Sequence, residues 1–271
     1  MSPHLATSSS ASLHRLSDWF LTGAGNRLVE EQLPHLATSA RRFHGDALMW
    51  AGCQTPLLDT VSGCMVRNHF RLVEPGWSDA AGVMAETAEM SLFQASLREI
   101  PLPNNSLDAI ILHHALEACE DPRTALRECA RVLTGGGRLV VCAFNPLSLW
   151  GARSLYGRVR DDRFSELKFV NPFRLFDWLT VLGFEPEPVK YVAYNLPLDR
   201  IASDAAVWRG TRQILAKRQL PIGGAYVLSA VKIALAAGVR QTRLRDTAGK
   251  LAPVAYPKMS ASRNLKDAER L

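Results

Sequence analysis

Residues 100–151, IPLPNNSLDAIILHHALEACEDPRTALRECARVLTGGGRLVVCAFNPLSLWG, leave this chain little freedom in what it can build. Asn104, Asn105 and Ser106 form a turn cluster, and residues 107–112 follow as a short Ile-rich run of the kind that fills a buried parallel strand. Asp121 then supplies an N-cap and Pro122 a first-turn proline. Apolar Ala125, Leu126, Cys129, Val132 and Leu133 recur at helical spacing behind them. The glycines 135–137 read as the helix stop, and residues 138–144 as a second apolar strand halted by Asn145 and Pro146. Two strands joined by a crossover helix lie parallel, so the stretch predicts a βαβ unit.

The chain has 271 residues, of which 47% are hydrophobic and 21% charged, so one α/β domain with a sizeable core is expected. Three segments are anticipated: 1–12 as a polar, disordered start, 13–239 as the folded domain including N-terminal helices, and 240–271 as a basic, flexible tail. The net charge of +6 is concentrated in that tail, which carries +5. Nucleic acid or an anionic surface is therefore a conceivable tail partner, although no aromatic residues are interleaved to stack bases. With no run of about eighteen apolar residues and no basic-then-apolar leader, the expectation is a cytoplasmic protein without a membrane span. Five cysteines without CxxC spacing read as buried free thiols, and no metal site is expected.

The turn 103–106, the strand, the Asp-Pro helix start, the glycine turn and the strand ending Phe144-Asn145-Pro146 together resemble the second half of the class I S-adenosylmethionine-dependent methyltransferase core. The likeness is to the small-molecule, type 11-like branch that includes quinone and biotin-pathway enzymes. The continuation Leu147-Ser148-Leu149-Trp150-Gly151 resembles a little-characterised bacterial group of methyltransferase-like proteins. The resemblance implies a doubly wound, mostly parallel seven-stranded sheet with an antiparallel edge strand, S-adenosylmethionine as cofactor and a small-molecule acceptor.

On that pattern, residues 45–58 should hold the first strand and the cofactor turn. Of the family's glycines only Gly52 survives, flanked by Ala51 and Cys53, and Met49 or Trp50 stands where an acid is usual. The two flanking side chains are small enough for a ligand to approach the backbone. An ordinary strand-to-helix turn is the competing reading. Glu74 ends the second strand, residues 68–74, where a carboxylate would accept from the two ribose hydroxyls; a solvated strand-end charge is the alternative. Ser96 and Leu97 occupy the adenine loop, without the family's acid.

His113 and His114 follow the fourth strand, with Glu117 three residues beyond. The matching position makes His113 a cofactor neighbour and His114 a candidate catalytic base, with simple packing left open. Methyl transfer depends mainly on alignment, because the sulfonium is already activated. Asn145, Leu149, Trp150 and Tyr156 lie where the family builds its substrate pocket, and an apolar, aromatic lining suits a hydrophobic or ring-bearing acceptor. One or two helices over residues 13–33, interrupted by Gly23 and Gly25, should precede the sheet, another helix should start at Asn171-Pro172, and residues 184–195 and 225–233 should supply the last strands. The functional expectation is methyl transfer. A silent relative that keeps the fold for binding is the alternative.

Overall fold

A computed structural model describes residues 3–53, 61, 63–75, 90–152, 167–194 and 213–234. All of these belong to the compact unit Met1–Ala234; residues 235–271, with the basic tail, lie outside the described set.

Two helices come first, α1 (Pro3–Phe20) and α2 (Gly23–Ala40), with Thr22 capping the second through its side chain on Gly25 N. The helix α1 thus begins inside the segment anticipated as disordered. Pro3 suits a first turn, and no further proline or glycine follows before Gly23, so the Ala- and Ser-rich start has nothing to break it.

The sheet follows with β1 (His44–Gly52), β2 (Met65–Val73), β3 (Ser91–Gln94) and β4 (Leu107–His113), then α3 (Pro122–Val132) and β5 (Leu133–Phe144). After α4 (Pro172–Val181) come β6 (Phe184–Pro186), β7 (Lys190–Val192) and β8 (Ala225–Lys232). Strand order is β3-β2-β1-β4-β5-β8-β6, with β7 also on β8. Pairs from β3 through β5 are parallel, while β8 runs antiparallel to β5, β6 and β7. The seven expected strand positions are filled, the outermost by two short pieces. Pro186 and Pro188 lack the N–H groups that one continuous strand would need there. The antiparallel strand is the last but one in order, and the edge itself is formed by β6 and β7.

Alternation along the central strands separates two cores. Leu48, Trp50, Ile111, Val140, Cys142 and Phe144 join Leu13, Trp19, Phe20, Leu28 and Leu36 of α1 and α2. Met49, Ala51, Ile110, Leu112, Leu139 and Val141 join Leu126 and Cys129 of α3 and Leu175 and Leu179 of α4. Each face is thus covered by its own helix pair, which is the doubly wound arrangement.

The α3 cap is as the sequence predicts: Asp121 Oδ1 accepts from the backbone N–H of Arg123 (3.0 Å) and Thr124 (3.3 Å). The helix ends earlier than the glycines suggest. Asn105 and Ser106 donate their N–H groups to the carbonyls of Arg131 and Val132, so the upstream turn closes α3 and the triple glycine passes into β5. There it makes a bulge: register moves from Leu107 opposite Leu133 to Ala109 opposite Arg138. Gly136 takes φ +85, and a Cβ on Gly137 would press on the carbonyls of Asp108 and Thr134, each at 3.0 Å. Arg131 fastens the same corner, gripping Glu128 through Nε and Nη2 and donating to the carbonyls of Ile100 and Leu102.

Candidate functional site

Strand order reverses between β1 and β4, and ligands of open α/β sheets bind outside the carboxyl ends at such a switch point. Gly52 and His113 are paired there, and Cys53 N donates to His113 O at 2.9 Å. Gly52 has φ +110, and a Cβ would collide with the His113 carbonyl. The contact with β4 alone therefore demands glycine at this position. Cys53 and His113 are buried beneath Phe20 and Trp50, whose rings lie 5.3 and 5.6 Å from that of His113, while Ala51 is buried on the opposite face of the sheet.

A second group forms beyond β2. Glu74 Oε1 accepts from Leu97 N at 2.9 Å, joining the end of β2 to the loop after β3; its Oε2 makes no hydrogen bond among the described residues. Burial pushes the Glu74 carboxyl up from its ordinary value, partly offset by the Leu97 N–H and by Arg98. Ser96 turns its hydroxyl onto Arg98 N (3.3 Å). The chain thus brings Glu74, Ser96 and Leu97 together, as it does Gly52, Cys53 and His113.

His114 is held differently. At φ +52 it occupies the left-handed region, so its ring turns into the sheet face beside that of His113. Its Nδ1 meets Glu117 Oε1 at 2.9 Å, and the same carboxylate oxygen accepts from Phe144 N at 2.7 Å. One amide serves both histidines. Gln32 Nε2 lies 2.9 Å from His114 Nε2, and Gln32 Oε1 lies 3.0 Å from His113 Nε2. With the amide so placed, His113 donates Nε2–H to the carbonyl, and Gln32 donates to His114 Nε2. The second His114 nitrogen is then the one carrying hydrogen towards Glu117. Buried His113 Nδ1 and Glu117 Oε2 have no partner among the described residues. Burial, reinforced by His114 and Arg71, holds the His113 imidazole well below its ordinary value of 6.5, so it is neutral near pH 7.

Two of these residues escape the sequence reading. Gln32 stands between Leu28 and Leu36 on the buried stripe of α2, and a polar residue in an apolar stripe is the signal that marks it. Arg71, buried on β2 opposite Trp50, bears electrostatically on Cys53 and His113. A charge inside the run Phe70-Arg71-Leu72-Val73 is the corresponding sign. Burial raises the thiols of Cys53 and Cys142, so both are unreactive near neutral pH.

The expected substrate residues separate. Asn145 is buried, donating to the carbonyls of Pro221 (3.0 Å) and Gly223 (2.9 Å) and accepting from Leu147 N (3.0 Å), so its amide is fully engaged as a clasp between loops. Trp150 packs against Trp19 at 5.4 Å and Phe144 at 6.0 Å. Leu149 is exposed, and Tyr156 lies outside the described residues. A cleft of about 460 Å³ opens between α2 and β7, lined by Glu31, His35, Tyr191, Tyr194, Gln213 and Gln219 among others, and none of the expected substrate residues lines it. Among the described residues no three His, Cys, Asp or Glu side chains converge as metal ligands, and no helix is long and apolar enough to cross a membrane.

Residues 73–141 match the family model described as a methyltransferase domain. The uncharacterized protein YafS of Escherichia coli K12 is 38% identical over 92 residues, which is 34% of this chain and 38% of that protein. A probable S-adenosylmethionine-dependent methyltransferase of Mycobacterium tuberculosis is 32% identical over 98 residues, covering 36% of this chain and 35% of its own. The alignments thus span little more than a third of these relatives. Among solved structures, an S-adenosylmethionine-dependent methyltransferase of Thermotoga maritima superposes with a TM-score of 0.57 at 16% identity, covering 82% of this chain and 99% of the other. The fold is that of the Rossmann-like methyltransferases, whose cofactor is S-adenosylmethionine.

Proposed function

Starting from a chain that belongs, by fold and by the second half of its core, with the class I S-adenosylmethionine-dependent methyltransferases, we propose that it transfers a methyl group to a small hydrophobic or ring-bearing acceptor. One observation carries the reading. Glu74 ends β2 half-buried, with one carboxylate oxygen fixed by Leu97 N and the other without a protein partner among the described residues, which suits a pair of vicinal hydroxyls. Ala51, Gly52, Cys53, Ser96, Leu97 and His113 would complete the cofactor's surroundings. S-adenosylmethionine supplies an activated methyl when bound.

The chain's own contribution is binding, alignment and exclusion of water. Phe20 closes over His113 and Gln32 bridges both histidines, so α1 and α2 act as a cover that must lift to admit ligands. His114 is the candidate proton acceptor, with Glu117 orienting its Nδ1; its Nε2 becomes available only when Gln32 withdraws. Leu149, together with the cleft bearing Tyr191 and Tyr194, offers apolar and aromatic surface for the acceptor.

Calorimetric titration of the whole chain with S-adenosylhomocysteine tests the reading. Saturable binding that Glu74→Ala abolishes supports it, and also separates it from a silent relative that keeps only the fold. No binding by the wild type, and no such ligand released from freshly purified protein, would sink it.

A further inference from the structure

The carboxyl edge of the sheet carries apolar side chains that the fold leaves open to water. Leu147 and Leu149 are 54% and 56% exposed, and Leu220 and Ile222 are 37% and 49% exposed. One knot of hydrogen bonds gathers them: Asn145 binds the carbonyls of Pro221 and Gly223 on one side and Leu147 N on the other, while Ile222 N donates to Leu220 O at 2.8 Å. The helical segment 213–217 and the turn that follows it into this knot bear Lys217 and Arg218, both exposed and without an ion pair among the described residues. No Asp or Glu occurs anywhere from residue 205 to residue 245, a stretch that holds eight Lys or Arg. The same helical segment and turn present Gln213, Ala216 and Gln219 to the cleft. Apolar side chains and cations without an ion pair among the described residues therefore share this region with residues that line the cleft.

We propose that this surface docks the protein on an anionic phospholipid bilayer, with Leu147, Leu149, Leu220 and Ile222 entering the headgroup boundary and Lys217 and Arg218 meeting lipid phosphates. Interfacial binding needs this combination, because apolar insertion and attraction to anionic lipid are each weak alone and add when they share one face. A protein partner would find the apolar residues equally attractive, but exposed cations in a stretch of sequence without Asp or Glu complement phosphates in particular. The adjoining cleft would then open towards the bilayer, where a hydrophobic acceptor resides. The docking itself concerns a surface and stands whether or not methyl transfer occurs.

Flotation of the full chain with vesicles provides the test. Binding is expected to mixed phosphatidylcholine and phosphatidylglycerol but not to phosphatidylcholine alone, and to weaken with added salt. Leu149→Glu with Ile222→Glu, and separately Lys217→Glu with Arg218→Glu, should each reduce partitioning roughly tenfold or more. All four positions are exposed, and an unchanged unfolding midpoint would show the fold intact. Three results would overturn the proposal: no wild-type binding to anionic vesicles, binding unchanged in both double variants, or a dimer by light scattering that the same variants dissociate.

Discussion

Replacing Gln32 by leucine should reveal how firmly the helical cover is fastened to the sheet. The amide is buried and contributes two hydrogen bonds, 2.9 Å to His114 and 3.0 Å to His113, across 82 and 81 residues of sequence. Leucine matches its volume but leaves an imidazole nitrogen on each ring without a partner, and each orphaned group costs about 1–3 kcal/mol. The added apolar surface offsets about 1 kcal/mol of this, leaving a net loss of about 1–5 kcal/mol. In a domain of this size that corresponds to a fall in melting temperature of roughly 2–20 °C. Urea unfolding followed by tryptophan fluorescence gives the measurement, since Trp19, Trp50 and Trp150 all lie at or beneath the cover. Thr38→Ala, on the exposed side of α2, is the control and should change stability by less than about 0.5 kcal/mol. A Gln32→Leu variant as stable as that control would refute the claim that one amide satisfies both histidines.

Two further outcomes follow from the same region. Gly52→Ala should destabilise by about 3 kcal/mol or more, because its Cβ meets the His113 backbone at a φ of +110; a variant with a wild-type urea midpoint would show that β4 yields at this position. The neutral state of His113 should make stability fall on mild acidification. The unfolded chain takes up this proton near 6.5 and the folded chain only well below that, so the stability is complete above 6.5 and is lost as pH falls through the interval beneath it, by at most about 1.4 kcal/mol per pH unit. Urea midpoints from about pH 8 to about pH 5 should therefore decline, and a flat profile contradicts the burial argument. The depressed carboxyls of Glu128 and Glu187 add their losses only below 4.5, a separate window.

What was legible in the sequence was what neighbouring residues decide. Asp121 and Pro122 start α3 because cap and first turn lie side by side, and the Ile-rich run becomes β4 because it is apolar on both faces. The end of α3 departs from the local pattern because its closing donors, Asn105 and Ser106, come from the loop before β4 and not from the glycines after the helix. The site shows the same division. Glu74 and Gly52 fall where strand ends place them, whereas the joining of Gln32 to His113 and His114 depends on how α2 lies across the sheet, which no local pattern encodes. Asn145 has the position of a pocket residue, yet its amide is spent on a loop that arrives about 75 residues later in sequence.

The fastening of the cover also bears on ligand affinity, in a direction opposite to its effect on stability. If the crevice over Gly52 and His113 opens only when α1 and α2 lift, the observed dissociation constant equals the intrinsic one divided by the open fraction. Gln32→Leu weakens the closed state and leaves the open state, where the amide has no histidine to bridge, nearly unaffected. The open fraction therefore rises by up to the factor that the closed state loses, about 30-fold for about 2 kcal/mol. The variant that melts earlier should thus bind S-adenosylhomocysteine more tightly when both proteins are titrated well below their unfolding transitions. A contact that merely stabilises the fold would leave affinity unchanged, and one that touches the ligand would weaken it. Tighter binding by a less stable protein is the outcome that only a cover held shut by Gln32 produces.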